Sequence, residues 1–140
     1  MLYSVYRSVT RLYTTATPFE VSGRQVLPRV DIIYAYGGAD GVLVDAARQH
    51  GVDGLVLVGF GGGSYPTAFL EAGKMAVQAG IPVVLATRST AGRVIMTPRK
   101  QEDGFIVSDD LLPQKARILL MLALSMTRDR HTIQEMFYQY

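Results

Sequence analysis

At 140 residues, with 49% hydrophobic and 19% charged residues, the chain has the length of one domain and a composition that excludes disorder. A formal net charge of +2 is too small to point to a nucleic-acid partner, and no apolar run approaches the roughly 20 residues of a membrane span. The absence of cysteine rules out disulfides, thiolate nucleophiles and cysteine-bound zinc, and two isolated histidines, His50 and His131, do not make a metal site.

The first 26 residues are irregular. Tyr3, Tyr6, Arg7, Arg11 and Tyr13 are interleaved before Thr17-Pro18-Phe19, a pattern that fits an arm lying on another domain better than one stacking on bases. The N-terminus also lacks the apolar core of a signal peptide. Residues 30–36, rich in β-branched and aromatic side chains and closed by Gly37-Gly38, read as a first strand. Asp40 is placed to cap a helix carrying Val42, Leu43, Val44, Ala46 and Ala47, which ends at His50 with Gly51 behind it. His50 there suits a partner for the helix dipole.

Residues 54–66, Gly-Leu-Val-Leu-Val-Gly-Phe-Gly-Gly-Gly-Ser-Tyr-Pro, organise the rest. An apolar run bounded by glycine reads as a strand buried on both faces, and the helix pattern that follows at 66–78 makes it half of a βαβ unit. Ligands of open α/β sheets sit beyond the carboxyl ends of the strands, which makes the glycine turn the first place to look for function. Gly80 and Pro82 end the helix, and residues 82–86 form the third strand. Residues 91–103 read as a surface loop, 105–107 as a short fourth strand, and 113–126 as a helix apolar nearly all round, which demands cover on more than one side. Thr132-Ile133-Gln134-Glu135 has the capping-box spacing of a last helix. The expected fold is α/β: a small doubly wound, mainly four-stranded parallel sheet with helices on both faces.

Most chemical motifs fail on this sequence. The glycine turn lacks the Gly-Lys-[Ser/Thr] ending of a phosphate-binding loop. As a dinucleotide fingerprint its third glycine falls too early, and the third strand leads to Arg88, which fits only a reader of a 2′-phosphate. An NADP-binding module survives on that residue alone. Asp109-Asp110 has the look of a carboxylate pair, but next to a proline-led helix it reads as solvated or capping groups. Ser64 and Ser89 have no histidine base placed by any motif.

Residues 27–36, the glycine turn, residues 112–124 with Pro113-Gln114-Lys115-Ala116-Arg117, and the ending 133–140 together resemble the C-terminal domain of bacterial type II L-asparaginases and glutaminase-asparaginases. The resemblance runs from about Tyr6 to Tyr140. It implies a domain at 27–140 preceded by an arm at 1–26 that resembles the family's interdomain linker. The implied chemistry is amide hydrolysis of asparagine, and often glutamine, through an acyl-enzyme on a threonine, with no metal and no cofactor. The family's nucleophile lies in an N-terminal domain whose motifs do not occur here. Thr14, Thr15 and Thr17 stand in the wrong settings, so no catalytic residue is assigned to this chain.

What the resemblance does imply is a substrate-binding contribution to a neighbouring subunit from the loop Gly61-Gly62-Gly63-Ser64. Ser64 matches the glutaminase-like form of that loop, while Gly62 replaces its first asparagine. The family's glutamate in the loop after the third strand has no counterpart: Thr97 or Pro98 stands about there, and Glu102 is a poor match. Leu112 stands where the family has an asparagine cap, leaving Asp110 to compensate. The implied partners are a second copy of the chain, an asparaginase N-terminal domain and, in a completed site only, asparagine or glutamine, with no nucleic acid and no membrane. The compartment is left at periplasm or cytoplasm. A non-catalytic interaction domain derived from the family is the alternative from another class.

Overall fold

The computed structural model describes residues 17–23 and 26–140. The expectations for Tyr3, Tyr6, Arg7, Arg11 and Tyr13, and for Thr14 and Thr15, fall outside them. Four strands, β1 (Val30–Tyr34), β2 (Gly54–Gly59), β3 (Val83–Thr87) and β4 (Ile106–Val107), pair in parallel in the order β1-β2-β3-β4. Every residue of β2 and β3 is buried, as expected of apolar runs covered on both faces. Alternation then divides their side chains. Leu55, Leu57, Val83 and Leu85 enter one core; Val56, Val58, Val84 and Ala86 enter the other.

Two helices, α1 (Val42–Gln49) and α2 (Thr67–Gln78), cover the first face with Val44, Ala47, Phe69, Ala72 and Ala76. Both are crossovers between adjacent parallel strands. With the strand order never reversing, the right-handed rule puts them on the same side. The second face is closed from the far end of the chain. Helix α4 (Pro113–Leu124) lies across β1, β2 and β3, and α5 (Arg130–Gln139) packs beside β4. They bury Ala116, Leu120, Ala123, Ile133 and Phe137, of which each large side chain contributes about 2 kcal/mol. Gly54 lets α4 approach: a Cβ there would lie 2.9 Å from Leu124 Cδ1.

Among the described residues, no strand neighbours the outer edge of β4. Instead the buried side chain of Gln134 pairs with both backbone groups of Val107, accepting from its N–H at 2.8 Å and donating to its carbonyl at 3.2 Å. An amide side chain thus stands in for a fifth strand.

Several local expectations are corrected. Residues 91–103 are not all loop, because Pro98–Glu102 forms α3, started by Thr97, whose hydroxyl accepts from the Lys100 N–H at 3.4 Å. Asp40 is not the cap of α1; Gly41 occupies that position, and Asp40 accepts from the Val42 N–H. The last helix begins two residues before Thr132, with Asp129 as cap accepting from both the N–H and the hydroxyl of Thr132. Helix α4 ends at Leu124 and not at Met126, and its N-cap, Leu112, supplies no side-chain bond. Its side away from the sheet is only partly covered: Ile118 is 50% exposed beside a groove of about 670 Å³ lined also by Phe19, Val21, Leu111 and Leu122. Phe19 packs on Tyr140 there, with ring centroids 5.3 Å apart.

Candidate functional site

The chain leaves the carboxyl end of β2 into a closed turn. Phe60 and Ser64 face each other as an antiparallel bridge; Phe60 N–H donates to Ser64 O, and the N–H groups of Gly63 and Ser64 both donate to Phe60 O, all at 2.9 Å. The turn needs its glycines for two different reasons. Gly63 has φ +101, which side-chain-bearing residues rarely adopt, and Gly59 has no room for a Cβ, which would fall 2.4 Å from Ser64 O and 2.5 Å from Tyr65 Cε1. Backbone bonds therefore hold the turn shut. Ser64 is exposed at its far side, and its hydroxyl makes no hydrogen bond among the described residues.

Beneath the turn, the ring of Tyr65 reaches back over Gly59 and its hydroxyl donates to Ala86 O at 2.8 Å. Burial pushes that hydroxyl well above the ordinary tyrosine range. Beside the turn stands Arg88, just past β3. Its guanidinium donates to Ala35 O and to Gly59 O and lies 4.5 Å from the centroid of the Phe60 ring. It ties the carboxyl ends of three strands together. The one residue on which a 2′-phosphate reading rested is thus already occupied by backbone carbonyls and an aromatic face.

The second wall comes from the segment after β3. Gly92 packs on the turn, where a Cβ would meet Gly61 O at 2.9 Å, and Val94, fully buried, lies against Gly63. Lys100, on α3, donates from Nζ to Ile95 O at 2.9 Å, and the same Nζ lies 3.4 Å from where a Cβ of Gly63 would be. Burial lowers its pKa. Glu102, the nearest carboxylate by sequence, is on the exposed side of α3. The expectation of a solvated or capping Asp109 is overturned, since its carboxylate is 6% exposed and bound by Arg93. The sequence reading missed Arg88 as a clamp and Arg93, Asp109 and Lys100 as neighbours of the turn. Among the described residues no three His, Cys, Asp or Glu side chains gather where they would hold a metal ion.

The expected site residues thus lie together: Gly62, Gly63 and Ser64 form the tip of one turn at the carboxyl edge of the sheet. Residues 29–137 match the model of the Glutaminase/Asparaginase C-terminal domain. The chain belongs to that family. It is 42% identical over 134 residues to the L-asparaginase 2 of Bacillus subtilis, covering 94% of this chain and 35% of that protein. It is 31% identical over 138 residues to a glutaminase-asparaginase of Pseudomonas fluorescens, covering 96% of this chain and 38% of the relative. A solved structure of a probable cytoplasmic L-asparaginase from Campylobacter jejuni superposes with a TM-score of 0.89 at 40% identity, over 96% of this chain and 44% of the other. The chain therefore spans less than half the length of the relatives it matches. The family and the α/β fold with its four parallel strands stand as the sequence resemblance implied.

Proposed function

We propose that the chain is the part of an asparagine- or glutamine-hydrolysing amidohydrolase that completes an active site whose nucleophile lies elsewhere, with Ser64, Gly63 and Gly62 facing the substrate. The observation that carries this reading is the state of Ser64. Its hydroxyl is exposed at the tip of a turn closed entirely by backbone bonds, so it has no structural duty among the described residues and is free to serve a ligand. The strand order adds support. A crevice at the carboxyl edge of a parallel sheet opens where the order reverses, and here it never does. The turn therefore needs a wall from outside this sheet. In this reading residues 27–140 form the domain, the segment before them is a linker, and the partners are a separate threonine-bearing domain and a second copy of the chain joined by a two-fold axis.

The test reconstitutes the missing half. The chain alone releases no ammonia from asparagine above the buffer rate, because binding contacts do not replace an activated nucleophile. Mixed with the N-terminal domain of a related asparaginase, it restores hydrolysis, and Ser64→Ala lowers turnover while leaving the melting temperature within a degree or two. Unchanged kinetics on both asparagine and glutamine in the Ser64→Ala mixture would remove the role given to Ser64. A strictly monomeric chain in sedimentation at high micromolar concentration would remove the self-association.

A further inference from the structure

The wall against the Ser64 turn is tied to the exit of β4 through Arg93, Val94 and Asp109. Both Nε and Nη2 of Arg93 reach the Asp109 carboxylate, Nη2 at 3.0 Å from Oδ2, and Val94 N–H donates to Asp109 O at 2.9 Å in an isolated antiparallel bridge. The pair joins the segment after β3 to the exit of β4. It is built from costly parts. Asp109 has φ +56, alone among the described non-glycine residues in being left-handed, and its carboxylate is buried while Arg93 lies mostly in solvent. A glycine would take that backbone conformation without strain and without a buried charge. A left-handed backbone carrying a buried charge is a place to look for a functional constraint.

That constraint has a visible target. From this segment, a Cβ at Gly92 would lie 2.9 Å from Gly61 O, Arg93 O lies 3.8 Å from the Cβ position of Gly62, and Val94 Cγ1 lies 3.0 Å from that of Gly63. All three glycines before Ser64 thus face residues 92–94 at close range. We propose that Arg93 and Asp109 form a latch that positions the Ser64 turn by pressing residues 92–94 against it. Neither residue touches the ligand; both are positioning residues. The assignment of that ligand as an amide substrate rests on the function proposed above, whereas the latch itself does not.

Hydrogen exchange of individual amides in the full chain, followed by NMR, tests the latch without any activity. Asp109→Gly removes the pair and the backbone strain together; Arg93→Gln removes the pair from its exposed side, and Arg93→Lys keeps the charge but not the two-point grip. The expected result is exchange about tenfold faster at Gly63, Ser64 and Val94 in Asp109→Gly and Arg93→Gln, a smaller increase in Arg93→Lys, and unchanged protection of Leu57 and Leu120. Turn amides within twofold of the parent protein in both variants would overturn the proposal, as would acceleration that extends equally to Leu57 and Leu120. If Asp109→Gly does not fold, Arg93→Gln decides by the same criteria. In the reconstituted enzyme, Asp109→Gly should raise KM for asparagine more than it lowers kcat. A parent mixture with no activity would sink the functional reading and leave the exchange result to judge the latch.

Discussion

Two places in this sheet face the same difficulty and meet it in opposite ways. At the outer edge of β4 the backbone of Val107 has no strand beside it among the described residues, and a side chain, Gln134, satisfies it. At the end of β2 the chain must turn sharply, and there backbone bonds between Phe60, Gly63 and Ser64 close the turn. The first solution ties up a polar side chain in structure. The second leaves one, the Ser64 hydroxyl, without a hydrogen bond among the described residues. A functional group is available at the glycine turn because glycine lets the backbone do work that is assigned to side chains elsewhere.

Substitutions at each place separate the two strategies. The largest effect belongs to Gly59→Ala, whose Cβ would be driven into Ser64 O and the Tyr65 ring; urea unfolding should show a loss of about 3 kcal/mol or failure to fold. Gln134→Leu keeps the apolar volume but leaves the N–H and carbonyl of Val107 buried and unpaired, which should cost about 2 kcal/mol by the same measurement. Tyr65→Phe is milder and sharpens the contrast, because Tyr65 lends a side-chain bond to the β3 end from beneath the turn. Its lost bond to Ala86 O should cost about 1 kcal/mol at pH 7.

That last deficit should depend on pH in a definite direction. Burial holds the folded-state pKa of Tyr65 above the ordinary value of 10.0. The stability this group contributes is therefore complete below pH 10 and lost as the pH rises toward the folded-state value, because only the unfolded chain ionises it there. The gap between the parent and Tyr65→Phe should narrow above pH 10 in urea titrations. A gap that widens would contradict the buried placement of the hydroxyl.

The same contrast explains what was legible in the sequence. Strands β2 and β3 are continuous apolar runs between glycine and proline, and α4 follows a proline with an unbroken apolar pattern, so composition alone marks them. Helix α3 was hidden because Pro-Arg-Lys-Gln-Glu offers no apolar periodicity and none of its residues is fully buried; one hydroxyl and the proline start it. The start of α5 was misread because Asp129 and Thr132 both offer oxygen at capping spacing, and only the path from α4 decides between them. At the site, glycine announced the turn. The latch was not readable, since Arg93 and Asp109 are 16 residues apart, on segments that meet only once β3 and β4 are in register.

The placement of α4 has a consequence for how the molecule is made. Strands β1, β2 and β3, with the helices of the first face, are complete by residue 87, whereas the helices that shield the other face occupy residues 113–139. If the first face folds as it is made, the growing chain carries a parallel sheet with Val30, Val56, Val58, Val84 and Ala86 on an uncovered side until residues 113–139 have emerged. Such a half-covered intermediate is a natural client for a chaperone and a natural seed for aggregation. Ribosome-stalled chains ending at residue 112 should bind a hydrophobic dye strongly, and chains extended to residue 140 and released should bind it less.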